Sequence, residues 1–382
     1  MESFTEEDKK YMRLALRLAR KGRGHTRPNP MVGAVIVKDG HIVSTGYHKK
    51  AGLGHAEIEA IKAAGRSLDG ARMYVTLEPC NIYGRTPPCA DQLIKHRFSE
   101  IFIGSRDPNP AVWGKGIEKL KKAKIKVKEG LLEQEVYRLN EEFFKNMRTG
   151  LPFVTSKIAA SLDGKVAAAT GDSRWITCPH SRKLVHRLRK EAGCILTGMG
   201  TVAADNPYLF PRQKLDSREP EKGSVKSFWR VIFDYRLALG LDSNIARTLG
   251  KVCTIIFTGS ANKRKIETLK IRGAHIEHIA SSGRKINIKE ALTILYKNYG
   301  ITSLLLEAGP GLNTSFLNEG AIDKLLIFFA PIILGSTGLS MFSDMGIETI
   351  SQSRLLDFDN IKRSGRDFLL TAYPGKDVHR NN

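Results

Sequence analysis

Three residues well apart in the sequence, His55, Cys80 and Cys89, constrain this chain more than any other feature, because one metal ion can use them only if the fold brings them to a point. They stand in Gly54-His55-Ala56-Glu57-Ile58-Glu59-Ala60-Ile61, Thr76-Leu77-Glu78-Pro79-Cys80 and Thr86-Pro87-Pro88-Cys89. A neutral imidazole nitrogen and two thiolates are zinc donors. Three protein donors leave the fourth tetrahedral position open to water, which is the layout of a catalytic site. Glu57, two residues beyond the histidine, is read as a proton carrier and not as a ligand. Two plainer readings stand beside this one. The cysteines can be small buried residues and His55 a helix cap. A structural zinc site would ordinarily offer a fourth Cys or His nearby, and none lies between Cys89 and His96.

The order H-x-E…P-C…C is the signature of zinc-dependent nucleobase deaminases, in which two residues usually separate the cysteines. Here eight residues, 81–88, do so. The surrounding pattern supplies places for the donors. Thr5 with acidic residues behind it caps a helix that runs through Tyr11 to Arg20. Val32 to Val37 and His41 to Thr45 flank Asp39-Gly40, a type I′ hairpin signal. A helix is expected from His55 to about Ala64, and a buried strand from Met73 to Leu77 that delivers Cys80 at its end. Thr86-Pro87-Pro88 suits the cap and first turn of a helix to about Arg97. That places His55 and Cys89 in first turns, where the helix dipole favours a thiolate at Cys89. Strands at Ile101 to Gly104 and Lys124 to Lys128, with helices after Gly116 and Leu132, complete an α/β sandwich.

Periodicity lapses at Arg148-Thr149-Gly150-Leu151-Pro152, read as the boundary between units at 1–147 and 152–375. The second half restarts with a strand at Phe153 to Ala159. Strands follow at Cys194 to Thr197, Arg230 to Phe233, Val252 to Thr258 and Thr302 to Leu306. Thr177 and Pro179 open one helix, and another spans Asn287 to Tyr299. Gly198-Met199-Gly200-Thr201-Val202 and Glu307-Ala308-Gly309-Pro310-Gly311 are strand–glycine–helix junctions, where backbone N–H groups suit phosphate. Neither is a G-x-G-x-x-G, and tight turns explain the glycines equally well. Asp205 to Lys226 is a long polar loop, in a compact domain more often functional than idle.

With 382 residues the chain is long enough for two domains. Its 61 basic against 39 acidic residues give a net charge of +22, compatible with nucleic acid, with phosphorylated substrates or with a lysine-rich solvated surface. Five cysteines do not make a disulfide framework. Cys178, Cys194 and Cys253 are read as buried thiols. The acidic start Met1 to Asp8 lacks a signal-peptide pattern, and no stretch nears the roughly 18 apolar residues of a membrane helix. A cytoplasmic protein without membrane contact is expected.

The run from Thr76 to Cys89, with Asn29-Pro30-Met31-Val32-Gly33 and Gly46-Tyr47-His48, closely resembles the deaminase half of the bifunctional riboflavin-biosynthesis deaminase–reductases. That family carries the long Cys-to-Cys step. Lys157 to Lys165, Ser173-Arg174-Trp175-Ile176-Thr177, Gly200 to Pro207 and Glu307-Ala308-Gly309-Pro310 resemble its reductase half, in the family's order. The resemblance implies a cytidine-deaminase-like α/β/α domain followed by a dihydrofolate-reductase-like α/β domain that uses NADPH. It implies zinc on His55, Cys80 and Cys89, with Glu57 catalytic. Ala159, Trp175, Thr201, Asp205, Thr258 and Gly309 would contact NADPH. Ser173, Arg189, Leu209, Arg212 and Glu307 would hold a ribosyl-phosphate substrate. Guanidinium suits a phosphate dianion bidentately, although a surface arginine is the plain alternative. For Glu307 the plain alternative is a cap on the following helix. The implied reactions are deamination of a diaminopyrimidinone bearing a phosphoribosylamino group, then reduction of its ribosyl to a ribityl chain. Lys157 and Asp205 are the polar candidates for an acid in the second step. A homo-oligomer is expected, and a nucleic-acid partner is not. The rival readings are a tRNA base deaminase with an accessory domain and a basic RNA-binding protein with a structural zinc.

Overall fold

The computed structural model describes residues 3–83, 87–212, 215, 217, 219, 228–279 and 285–375. It divides into two compact units, Met1–Gly150 and Leu151–Asn382.

In the first unit the described residues form one five-stranded sheet, ordered β2-β1-β3-β4-β5. These strands are β1 (Gly33–Lys38), β2 (His41–Tyr47), β3 (Arg72–Leu77), β4 (Glu100–Ser105) and β5 (Lys126–Glu129). β1 runs antiparallel to both neighbours, while β3, β4 and β5 are parallel. Asp39 and Gly40 take φ of 51° and 73°, as the hairpin signal requires. Helices α1 (Glu6–Ala19), α2 (Ala56–Ala64), α3 (Cys89–Lys95), α4 (Lys115–Lys122), α5 (Glu133–Leu139) and α6 (Glu141–Thr149) surround the sheet. Thr5 and Asp8 close a capping box at the start of α1. The Asp8 carboxylate also accepts the Tyr74 hydroxyl at 2.7 Å, which ties α1 to β3. Apolar residues on one sheet face pack with α2, α3 and α4; those on the other pack with α1 and α5. α2 lies so close to β2 that a Cβ on Gly46 would stand 2.3 Å from the Ala56 carbonyl oxygen.

The second unit holds a nine-stranded sheet among the described residues, ordered β11-β10-β9-β8-β12-β6-β13-β16-β15. Its strands are β6 (Phe153–Ser161), β8 (Cys194–Gly198), β9 (Trp229–Phe233), β10 (Cys253–Thr258), β11 (Ala274–His278), β12 (Ser303–Leu306), β13 (Lys324–Ala330), β15 (Leu356–Ser364) and β16 (Asp367–Pro374). β7 (Lys165–Ala167) and β14 (Leu339–Ser340) pair separately. From β11 to β13 every pairing is parallel; β16 and β15 close one edge antiparallel. Crossovers include α7 (Pro179–Ala192), α8 (Met199–Asp205), α9 (Asn244–Arg247), α10 (Lys263–Ile271), α11 (Ile288–Tyr299) and α12 (Pro310–Asn318). Because the strands are parallel, the residues that follow β6, β8, β10 and β12 share one edge, the edge at which open α/β sheets bind ligands.

Several boundaries move from their sequence positions. α3 begins at Cys89 with Pro88 as cap, and Thr86 lies outside the described residues. His55 is the cap of α2 and not part of its first turn. α7 is capped by Cys178, whose backbone is extended, and not by Thr177; the Cys178 N–H donates to the Asp367 carboxylate at 2.8 Å. Most of the polar loop after Arg212 also lies outside the described residues. Cys253 is half-buried, whereas Cys178 and Cys194 are buried.

Candidate active sites

The first unit brings His55, Cys80 and Cys89 together. Their donor atoms lie within 4.8 Å of one another. His55 Nδ1 stands 3.3 Å from Cys89 Sγ and 3.5 Å from Cys80 Sγ. Tetrahedral zinc with ordinary Zn–N and Zn–S bonds separates nitrogen from sulfur by about 3.5 Å. Donor chemistry and spacing therefore both fit zinc. Each donor is set by a different element: His55 caps α2, Cys80 follows β3, and Cys89 opens α3.

The proton of the cysteine pair lies on the opposite sulfur from the one the α3 dipole alone would favour. Cys80 accepts from the Cys89 thiol, the His55 ring and the Cys89 N–H, and these hold its thiol down at about 4. The Cys89 thiol, donating to Cys80 and buried, is pushed well up. His55 rises to about 9, chiefly through its hydrogen bond to Cys80. Direct hydrogen bonds converging on one sulfur outweigh the dipole of a seven-residue helix. Glu57 is buried in the first turn of α2, and burial raises its carboxyl to about 7.

Sequence reasoning gave Glu78 no role. Its buried carboxylate accepts the backbone N–H groups of Gly116 (3.0 Å), Ile117 (3.3 Å), Gly114 (3.0 Å) and Asp107 (3.3 Å). It fastens the turn carrying Cys80 to the first turn of α4 and the loop before it. The signal was a carboxylate sealed between an apolar strand and a proline. His48 closes the Gly46-Tyr47-His48 motif and is buried. Its Nδ1 faces the Gly54 carbonyl at 3.1 Å, so Nδ1 carries the proton and Nε2 accepts from the Asn29 amide at 3.2 Å. Its ring stands edge-on to His55, centroids 5.6 Å apart.

The second unit gathers charged side chains where the middle of β6 runs beside the carboxyl end of β12. Glu307 receives Arg189 bidentately, Nε to Oε1 at 2.6 Å and Nη2 to Oε2 at 3.0 Å, and Lys157 Nζ stands 3.5 Å away. Burial would raise this carboxyl, but Arg189 and Lys157 hold it at about 2. Gly309 caps α12 without help from a side chain, so the alternative of Glu307 as a cap falls. Arg212 is half-buried over the rings of Tyr208 and Phe210, its guanidinium 5.2 and 5.4 Å from the centroids. Its Nε is buried without a hydrogen-bond partner among the described residues. Leu209, between the two rings, has φ of 52°.

Gly309 and Thr201 face each other: a Cβ on Gly309 would stand 3.9 Å from Thr201 Oγ1. Asn313 holds that turn by donating to the Ala308 carbonyl at 2.9 Å and accepting from Ser156 at 2.9 Å. Trp175 is exposed with the Arg182 guanidinium 4.4 Å over its ring, and the neighbouring Arg174 donates to the Asp205 carbonyl at 2.6 Å. Ser173 accepts the Ile176 N–H through its carbonyl, and Ala159 pairs with Phe328 on β13. Thr258 sits three strands from β12, about 14 Å along the sheet. Its buried hydroxyl donates to the Tyr235 carbonyl at 3.1 Å and accepts the Ser260 N–H at 3.1 Å.

Comparison with known proteins covers both units. The model for the cytidine and deoxycytidylate deaminase zinc-binding region matches residues 5–105, and that for the RibD C-terminal domain matches 152–370. The chain is 44% identical over 378 residues to the riboflavin biosynthesis protein RibD of Bacillus amyloliquefaciens, covering 97% of this chain and 99% of that one. Among solved structures, Acinetobacter baumannii RibD superposes with a TM-score of 0.84 at 36% identity, over 97% of this chain and 99% of that chain. The Thermotoga maritima diaminohydroxyphosphoribosylaminopyrimidine deaminase/5-amino-6-(5-phosphoribosylamino)uracil reductase gives 0.81 at 36% identity, over 97% and 99%. The accessory-domain reading of a tRNA deaminase gives way here, since the second half is itself matched as a RibD domain. With both halves matched in order and from end to end, the chain belongs to the RibD family of riboflavin biosynthesis, proteins that join a zinc deaminase to a reductase.

Proposed function

We propose that Met1–Gly150 removes an amino group hydrolytically from a phosphoribosylamino-diaminopyrimidinone, and that Leu151–Asn382 reduces the ribosyl chain of the product to ribityl. The observation that carries the first half is the convergence of one nitrogen and two sulfurs with a buried carboxyl two residues from the histidine. The cofactors are zinc, on His55, Cys80 and Cys89, and NADPH. Bound zinc supplies the Lewis acidity that makes water a competent nucleophile near neutral pH. Glu57 takes the proton that water loses on attack and returns it to the departing amine. A carboxyl raised to about 7 by burial holds and releases a proton readily in that range. Glu78 keeps Cys80 in place, and His48 walls the site beside His55.

In the second unit NADPH supplies the hydride and the protein positions it. Ala159, Trp175, Thr201, Asp205, Thr258 and the Gly309 turn are its proposed contacts. The glycine-opened α12 at the end of β12 supports this, since backbone N–H groups there suit phosphate. Ser173, Arg189, Leu209, Arg212 and Glu307 are the proposed substrate contacts. The orphaned, buried Arg212 Nε supports a phosphate at that end, because an unpartnered charged donor is costly to bury without an anion. Lys157 and Glu307 then lie toward the ribosyl carbon.

We place the reaction in the cytoplasm, where free Cys80 and Cys89 stay reduced and competent for metal. Exposed Phe358, Ile361 and Phe368 on β15 and β16 support self-association through that sheet edge. The test is to give the purified zinc-loaded protein its pyrimidine substrate and NADPH, following ammonia and NADPH separately. Ammonia released first, then one NADPH consumed per ammonia, is the expected result. NADPH oxidation without ammonia release would overturn the order.

A further inference from the structure

The segment Tyr208–Arg212 carries two proposed substrate contacts but is irregular, and it is held by single hydrogen bonds from three directions. The wholly buried Arg230 donates to the Tyr208 carbonyl at 2.9 Å. Arg189 reaches the Phe210 carbonyl at 3.4 Å. The Arg212 N–H donates to His186 Nδ1 at 3.2 Å. His186 lies on α7, three residues before Arg189, so helical spacing puts both on one face.

We propose that His186 is a positioning residue of the reductase site: through Nδ1 it fixes the Arg212 backbone, and with it the guanidinium that takes the substrate phosphate. This rests on the reading of Arg212 given above. The hydrogen bond exists only while Nδ1 is unprotonated, since a backbone N–H cannot donate to an N–H. The charged groups around the ring secure that state. Burial, then the cations Arg189 on α7, Arg212 on the segment itself and Lys157 on β6, lower the ring to about 4, and only Glu307 opposes them. With Nδ1 accepting the Arg212 N–H and the ring lowered by burial and its cationic neighbours, His186 serves here as an acceptor. With Arg212 N–H held, its side chain has little choice of direction. The planar group lies over Tyr208 and Phe210, Nη1 reaches the Leu215 carbonyl at 3.3 Å, and Nε is left for a ligand.

The test uses isosteric variants in the full-length, zinc-loaded protein. Asn places its amide oxygen where Nδ1 stands; Gln places its own near Nε2. His186→Gln should raise the KM of the deaminated, phosphorylated substrate roughly 3- to 10-fold, the factor for one lost hydrogen bond. His186→Asn should stay within about twofold of wild type. The turnover number and the Kd of NADPH should change little in either. With the same substrate lacking its phosphate, all three proteins should give one KM, and the acid limb of the pH profile should not move. Equal KM values for the Asn and Gln variants, or an equal loss with the dephosphorylated substrate, would overturn the proposal. Arg212→Ala is the reference. If it keeps the preference for the phosphorylated substrate, the reading of Arg212 fails; if it loses that preference while His186→Gln keeps it, only the role of His186 fails.

Discussion

Gly116 is distant in sequence from every zinc donor, yet adding one methyl there should cost the metal. It lies in the first turn of α4 against the Pro79 carbonyl, one residue before Cys80. An alanine Cβ would stand 2.0 Å from that oxygen and 3.3 Å from Glu78 Oε1, where ordinary contact begins at 3.4 Å. If Pro79 retreats, Cys80 goes with it, and the bonds from Ala90 N to Cys80 O (3.1 Å) and from Cys89 N to Cys80 Sγ (3.4 Å) are lost. If α4 retreats instead, Glu78 loses the N–H groups of Gly116 and Ile117. Overpacking costs about 1–3 kcal/mol and a hydrogen bond to a charged group about 1.5–3. We expect Gly116→Ala to destabilise the first unit by about 3 kcal/mol. A displacement of about 1 Å at reacting groups is worth about 10²-fold in rate. Ammonia release should fall by about that factor, and zinc should be lost on dialysis against a weak chelator. NADPH oxidation on supplied deaminated substrate is the internal control and should be normal. Gly65→Ala is the comparison: φ is 61° but nothing lies within 4 Å of the new atom, so it should cost about 1 kcal/mol and keep its zinc. Full zinc and near-normal ammonia release in Gly116→Ala would refute the reasoning.

Other outcomes follow from the same geometry. Cys80→Ser and Cys89→Ser should each lose zinc and deamination together; elemental analysis showing one zinc per chain in both would exclude them as ligands. Glu57→Gln should keep zinc while ammonia release drops by at least ~10²-fold, the scale of a lost acid/base group. Glu307→Gln leaves the half-buried Arg189 without its anion, and reductase kcat/KM should fall roughly 10- to 150-fold with little change in NADPH affinity. The same variant tests linkage. The Glu307 carboxyl lies at about 2 against an ordinary 4.5, so its contribution is full above about 4.5 and is lost as pH falls toward 2. Wild type should lose on the order of 3 kcal/mol more stability than Glu307→Gln across that window. Parallel acid-denaturation curves for the two proteins would show that the ion pair adds no such term.

Local sequence sufficed where one element carries its own instructions. Thr5 and Asp8 three residues apart make the capping box, Asp39-Gly40 makes the hairpin, and the apolar run of β3 ends where Cys80 is needed. Motif order sufficed to single out His55, Cys80 and Cys89, which the fold brings together, since few other chemistries need them with Glu57 in that arrangement. The last strands of the second unit were not legible. β15 exposes Phe358 and Ile361 along with its charges, so the alternation that marks a strand is blurred. The roles of Glu78, His186 and Asn313 were hidden for another reason. Each acts through a backbone group of a residue brought near by folding: Gly116, Arg212 and Ala308. Backbone N–H and C=O groups are the same at every position, so no residue pattern announces which will be left for a side chain to satisfy. Protonation is likewise a tertiary property: the Cys80 thiol is drawn down, and Glu307 is held at about 2, because of which neighbours folding brings beside them. Sequence by itself determined which chemistry this chain carries and in which half; only the tertiary structure decided which side chains hold the reacting ones in place.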